Sequence, residues 1–295
     1  YLNISLAAVP LFILIHLYLF IIKNDSLAYS IKSSKRLLTL YILYGLLQTI
    51  VHVVQAVLLH TPLQEFRDIP RILWLGGPSL PFVGHPVFYF FSVLIALTIF
   101  TALFFNKKST SRNRKLYLVS AFLMILIMLA YAEYRDTTGV SFKYYRIENF
   151  LVYVPLAYLL VEHKKYFERY RSLVLAAALL LFMRDSMRPL NILTANMYMR
   201  SSLVFISLTF FLYKPSIHRL IGRLNPIFGI TLGIYALHKY FQFIVLYALS
   251  TFPIPKLTAL GLVLASKNII TSIIAIPLTV LVVHLMSKTR LERLV

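Results

Sequence analysis

The sequence predicts an all-α fold: a polytopic transmembrane helical bundle of about nine spans, forming a single membrane-embedded domain over residues 1–295. Three observations predict it. The chain is 59% hydrophobic, with a mean hydropathy of +0.77. Long apolar runs recur from end to end between charged or Pro/Gly-rich connections, and each bilayer crossing demands about 20 residues of internally hydrogen-bonded helix. The basic residues, 30 Lys and Arg against 10 Asp and Glu, gather in alternate connections, as cytoplasmic loops do.

The first span is expected at about Leu2 to Ile22, closing on Lys23-Asn24-Asp25, with His16 in its middle. A basic loop with Lys32, Lys35 and Arg36 leads to the second span, about Leu37 to Leu59. Within that span Gln48, His52 and Gln55 recur at helical spacing and share one face, which should look into the bundle or a wet cavity. His60 to Gly84, with four prolines, Gly76-Gly77 and the lone Trp74, reads as a re-entrant or interface-lying cap. The third span, about Val87 to Phe105, ends in the densest basic cluster, Lys107 to Lys115.

Span four, about Leu116 to Tyr131, leads to Glu133-Tyr134-Arg135-Asp136 and then Arg146 and Glu148. Span five, about Ile147 to Val161, contains Pro155, which predicts a kink. A basic turn from His163 to Arg171 precedes a short span six, about Ser172 to Met183, which meets Arg184-Asp185. A loop with Arg188-Pro189 leads to span seven, about Ser201 to Tyr213. Span eight lies within Arg223 to Tyr247. After Pro253 and Pro255 an apolar segment interrupted by Lys267-Asn268 gives way to span nine, about Ile269 to Met286, and a basic tail.

With the first span starting outside, segments 23–36, 106–115, 163–171, 214–223 and the tail fall inside and carry 19 of the 30 Lys and Arg. This predicts a multi-pass protein of the cytoplasmic membrane, N-terminus out and C-terminus in, with membrane lipid as a partner. Nucleic acid is not an expected partner, because no basic stretch carries the context of a nucleic-acid module. Cysteine is absent, which excludes disulfides and thiolate nucleophiles, and no spacing predicts a metal site. Phosphate loops, dinucleotide fingerprints and nucleophile elbows are absent as well. No internal repeat argues for a transporter-type duplication.

Chemistry then rests on polar groups in or near spans, where ionisable residues are functional candidates. His238 follows Tyr235 by three residues: its imidazole either serves as a base toward a hydroxyl or packs against a neighbouring helix. Lys239 either holds an anionic group or snorkels to the interface. His52 lines a cavity or belongs to a structural seam, and His16 needs a partner. Arg135/Asp136, Arg146/Glu148 and Arg184/Asp185 are either salt bridges or receivers of a polyanionic or sugar substrate. The basic inner clusters are topology signals or contacts to an acidic cofactor.

Gly222-Arg223-Leu224-Asn225-Pro226 followed by Thr231-Leu232-Gly233-Ile234-Tyr235-Ala236-Leu237-His238 resembles the late G-x-x-S-x-G-I-Y-x-x-H segment of the integral-membrane acyltransferase family 3. Ala8-Val9-Pro10-Leu11-Phe12-Ile13, the basic Lys32 to Arg36 stretch and Leu37 to Tyr44 resemble that family's second helix and the connection after it. The resemblance implies a ten-helix O- or N-acyltransferase. Such enzymes take cytoplasmic acyl-CoA, here acetyl-CoA, as donor, and a sugar, surface glycan or lipid-linked sugar as acceptor. Nine spans then correspond to the family without its first helix, which carries R-x-x-D-x-L-R-G and a catalytic histidine that nothing here matches. Where the family has Ser-Gly before a tyrosine, this chain has Ile15-His16-Leu17 before Tyr18.

On that footing the expected catalytic residues are His238, Tyr235 and His16. Acceptor binding falls to His52, Arg146, Glu148, Arg184, Arg188 and Lys239. Lys35, Arg36, Arg112 and Arg114 would meet the donor phosphates. A non-catalytic glycan or lipid transporter, or a membrane scaffold on the same helical layout, remains the alternative.

Overall fold

The computed structural model describes residues 7–23, 26–58, 89–105, 113–138, 146–187, 197–213, 241, 244–245 and 262–288. Among these residues the chain is helical throughout, without a strand. The α-helices are α1 (Ala8–Lys23), α2 (Leu27–Leu58), α3 (Tyr89–Phe104), α4 (Arg114–Thr138), α5 (Tyr153–Arg169), α6 (Arg171–Ser186), α7 (Ser201–Leu212) and α8 (Leu262–Ser287). Short 3-10 turns at Ile147–Asn149 and Met197–Met199 precede α5 and α7. Span eight of the sequence reading falls almost wholly outside the described residues, as does the expected cap at 60–84.

The chain divides into two compact units: 1–41 with 89–217, and 42–88 with 218–295. In the first, α1 packs against α3, α5 and α7, α5 also packs on α4, and α6 lies along α7. The sequence explains these places. Residues 153–160 of α5 are buried on every side, because Tyr-Val-Pro-Leu-Ala-Tyr-Leu-Leu offers no polar face. On α1, Ile13, Leu14, Leu17, Phe20 and Ile21 form a buried stripe at helical spacing. The outlying α4 buries only Ala121, Ala132 and Arg135, the first two small enough to let α5 approach closely.

In the second unit the description covers the remainder of α2, residues 241 and 244–245, and α8. Ala275, Thr279 and Val283 are buried at four-residue spacing on α8, while Ile274, Ile276, Leu281 and Leu285 are exposed.

Several boundaries depart from expectation. The stretch with Lys32, Lys35 and Arg36 is the opening of α2 rather than a loop. Nothing between Leu27 and Gly45 breaks a helix, and Lys and Arg are good helix formers. Ser26 starts it, with its Oγ accepting from the Tyr29 N–H at 3.2 Å and its carbonyl from Ser30 N at 2.9 Å. Pro155 sits in the first turn of α5, where a missing N–H removes no helical bond, so it causes no kink. The irregular residue of α5 is His163, with φ −126° and ψ 28°. The Lys267-Asn268 pair does not interrupt α8, which also runs through Pro277.

Only α4, among the described residues, is long and apolar enough to cross a membrane by length and composition. Shorter apolar helices cover Ala8–Ile22, Tyr89–Phe104, Ser201–Leu212 and Ile274–Met286.

Candidate functional site

The helices of the first unit bring a set of charged side chains to one end, where α4 and α6 finish and α7 begins. Arg184, in the last turn of α6, donates from Nη2 to Glu133 Oε1 of α4 at 2.5 Å. It also grips its neighbour Asp185, with Nε and Nη2 at 3.0 and 2.8 Å from Oδ1. Glu133 Oε1 accepts in addition from Ser201 Oγ at 3.2 Å, so one carboxylate oxygen links α4, α6 and α7.

Arg200 precedes α7 in an extended conformation, φ −57° and ψ 136°, and its side chain turns to α4. Its Nη2 donates to Asp136 Oδ1 at 3.3 Å, and its Nε lies 3.2 Å from Oδ2. Both partners are nearly sealed from solvent, the Arg200 side chain 6% and the Asp136 side chain 10% exposed. Arg135, itself buried, lies with its guanidinium 5.5 Å from the Tyr131 ring centre. It interacts electrostatically with Arg146, Glu148 and Asp136, while Asp136 interacts with Asp185 and Glu133. Arg146 and Glu148 pair through Nη2–Oε1 at 2.5 Å and Nε–Oε2 at 3.2 Å.

Four arginines (135, 146, 184, 200) thus stand against four carboxylates (133, 136, 148, 185) in one charge-balanced network. The balance is incomplete at the level of single atoms. Asp185 Oδ2, Arg200 Nη1 and Ser202 Oγ are buried without a hydrogen-bond partner. Buried polar atoms are normally satisfied, so an unused acceptor and an unused donor within one network can take a group that both donates and accepts.

An aromatic floor adjoins the network. Tyr89 stacks on Phe150 and Tyr198 with ring centres 5.9 and 6.4 Å apart, and Phe150 meets Tyr198 at 5.0 Å. Tyr153 Oη donates to the Tyr198 carbonyl at 2.6 Å, which fixes the turn just before Arg200. Burial pushes the Tyr198 phenol above its ordinary range, so it stays a neutral hydroxyl at physiological pH.

The opposite end of the unit is basic. Arg114 at the start of α4 pairs with Glu162 of α5 at 2.7 Å, which places the start of α4 beside the second half of α5. Lys164, Lys165, Arg169 and Arg171 are exposed around the α5–α6 turn.

The expected site residues separate accordingly. Arg146, Glu148 and Arg184 come together in the ionic network. His16 lies elsewhere, its Nε2 3.1 Å from Thr98 Oγ1 of α3. The Thr98 hydroxyl already donates to the Leu94 carbonyl at 2.6 Å, so His16 Nε2 is the donor and Nδ1 the basic nitrogen. Lys35 and Arg36 are exposed on α2, and Arg114 is engaged with Glu162. His52 lies on α2, its side chain outside what is described; Arg112, Arg188, Tyr235, His238 and Lys239 also lie outside the described residues.

The sequence reading missed Arg200, Ser201 and Ser202. It also paired Asp136 with its neighbour Arg135, whereas the Asp136 carboxylate pairs with Arg200. The available signal was an arginine directly ahead of an apolar run that begins with two serines.

No family model matches the chain, and no curated protein or solved structure matches it either.

Proposed function

We propose that the chain is a multi-pass membrane domain that transfers an acyl group from acyl-CoA, acetyl-CoA in the first instance, to a hydroxyl of a sugar, surface glycan or lipid-linked acceptor. The observation that carries this reading is the half-buried, charge-balanced network with its buried, unpartnered Asp185 Oδ2 and Arg200 Nη1, at the end of the unit away from the basic residues. Acceptor hydroxyls would donate to Asp185 Oδ2 or accept from Arg200 Nη1, with Arg146, Glu148 and Arg184 in the same network, and Arg188 is assigned to the acceptor from the sequence alone. The donor's phosphates would meet Lys35, Arg36, Arg112 and Arg114.

In the transfer itself a histidine removes the proton of the acceptor hydroxyl as the oxygen attacks the thioester carbonyl, and donors hold the oxyanion until the thiolate leaves. In the family resembled, that histidine lies in a helix that nothing here matches, so His238 with Tyr235 would orient the acceptor or support the site. His16, His52 and Lys239 are assigned to the site from the sequence alone.

The membrane reading is supported by where apolar and polar groups sit. Leu116, Val119, Phe122, Leu123, Leu126 and Ile127 of α4 and Leu173, Leu179, Leu180 and Met183 of α6 are exposed. Arg135, Asp185, Arg200 and Ser202 are buried. A large exposed aliphatic face with charge inside is costly in water and suited to lipid. The 16-residue α1 and α3 reach about 24 Å, short of a core of about 30 Å, a mismatch that local thinning accommodates.

One substitution tests the membrane reading alone. Ile127→Lys, at a position 66% exposed, is expected to weaken insertion of α4 by about 2–3 kcal/mol, read as a reduced inserted fraction of an isolated α4 segment that floats with vesicles. Unchanged flotation would contradict a lipid-facing α4.

Transfer is tested with the chain in membranes, labelled acetyl-CoA and a panel of neutral and anionic glycans. Label appearing as an ester on an acceptor is the expected result. A folded, inserted protein that labels nothing contradicts the reading, and acceptor crossing the vesicle wall without thioester consumption identifies a transporter instead.

A further inference from the structure

We propose that the second half of α5 with its turn into α6, and the start of α4 beside it, form a binding site for the headgroup of an anionic phospholipid; this rests on the membrane reading above but not on acyl transfer. Lys164, Lys165, Arg169 and Arg171 fall within eight residues, and the Arg114–Glu162 pair at 2.7 Å brings Lys115 alongside. The two carboxylates there are already used: Glu162 by Arg114, and Glu168 by Lys164 at 3.6 Å. Lys115, Lys165, Arg169 and Arg171 are exposed and have no carboxylate partner among the described residues.

The two arginines are held ready rather than loose. Arg169 lies with its guanidinium carbon 5.7 Å from the Tyr170 ring centre, and Arg171 5.1 Å from that of Tyr213. Stacking restricts the long side chains while the N–H edges stay open to a phosphate. The backbone helps, because α5 is irregular at His163 and Tyr170 alone separates it from α6.

The groups at this end suit a bilayer interface: exposed Tyr166 and Tyr170 lie among the basic residues, and exposed Leu173, Leu179 and Leu180 follow along α6. Tyrosine and basic anchors belong at headgroup depth and aliphatic residues below it. Net positive charge of this kind selects phosphatidylglycerol or phosphatidylserine over zwitterionic phosphatidylcholine.

The experiment uses the full chain in neutral detergent, titrated calorimetrically with short-chain phosphatidylglycerol and short-chain phosphatidylcholine, with flotation on phosphatidylcholine vesicles alongside. Wild type is expected to prefer phosphatidylglycerol by about 100-fold, and Lys165→Gln/Arg169→Gln/Arg171→Gln to lose about fivefold of that preference per charge removed, which brings the two lipids close to parity. A triple Lys165→Arg/Arg169→Lys/Arg171→Lys variant, which keeps the charge, should retain most of the preference and guards against a folding defect. Lys35→Gln/Arg36→Gln should leave it intact.

Equal affinity for the two lipids, or a preference that survives the glutamine variant, overturns the site. Displacement of phosphatidylglycerol by coenzyme A also overturns it, because the turn would then serve the donor. A chain that fails to float with neutral vesicles overturns the membrane reading as well, whereas insertion without headgroup preference overturns this proposal alone.

Discussion

Replacing Arg200 with methionine is expected to destabilise the first helical unit by about 3–5 kcal/mol, the largest effect of any single substitution in the ionic network. The side chain is 6% exposed and faces Asp136 through two nitrogens at 3.2 and 3.3 Å. Methionine fills most of the volume, but it leaves a carboxylate 10% exposed and without its principal counter-charge. Because the cost comes from the abandoned partner, Arg200→Met combined with Asp136→Leu should recover most of it. Unfolding of the detergent-solubilised protein followed by helical circular dichroism gives both numbers. A single-variant loss below about 1 kcal/mol, the range of a surface pair, would mean that the α4–α7 link is not the closed pair described.

The second large effect concerns the acceptor. Asp185→Asn should lower kcat/KM for a hydroxylated acceptor by about 10- to 100-fold, the loss of a hydrogen bond to a charged group. Arg184 fixes the Oδ1 side of the carboxylate at 2.8 Å, so the substitution puts an amide N–H where Oδ2 now offers a lone pair. If Asp185 only binds the acceptor, the loss falls on KM and the donor's KM stays unchanged; acetyl-CoA hydrolysis without acceptor would persist. A loss confined to stability, with normal kinetics in the folded fraction, would make Asp185 a helix staple and nothing more.

Some of this was legible in the residues and some was not. Apolar runs located α3, α6 and α7 to within three residues, because helix formation there is dictated by the run itself, while the start of α1 and the end of α4 lie six and seven residues from their expected places. Helix ends were harder. The opening of α2 carries Lys32, Lys35 and Arg36 and reads as a loop if charge marks boundaries. Charge does not break a helix, and no Gly or Pro lies between Leu27 and Gly45 to do so. The same error placed an interruption at Lys267-Asn268, inside α8.

Pro155 misled in the other direction. Its effect depends on its distance from the helix start, and the sequence put that start at Ile147 rather than Tyr153.

The ionic network was half visible. Arg184 beside Asp185, and Arg146 two residues from Glu148, could be read as pairs because short-range pairing needs no tertiary information. Asp136 with Arg200 spans 64 residues and depends on α4 finishing where α7 begins. The unsatisfied atoms of Asp185 and Arg200 were invisible for the same reason, since composition records that a carboxylate is present but not which of its oxygens is in use. The alternation of basic and mixed-charge connections along the sequence is the basis of the proposed topology. Arg114 meets Glu162 at one end of the unit, and Glu133 meets Arg184 at the other.

That sorting, across a bilayer, is the central claim, and the absence of cysteine makes it directly measurable. Single cysteines at Thr138, Met187, Lys115 and Tyr170, all exposed, can each be probed with a membrane-impermeant maleimide on sealed vesicles of known orientation. Thr138→Cys and Met187→Cys are expected to label from one face only, and Lys115→Cys and Tyr170→Cys only from the other. Labelling of all four from the same face would contradict a domain that spans the membrane with its ionic network on one side and its basic end on the other.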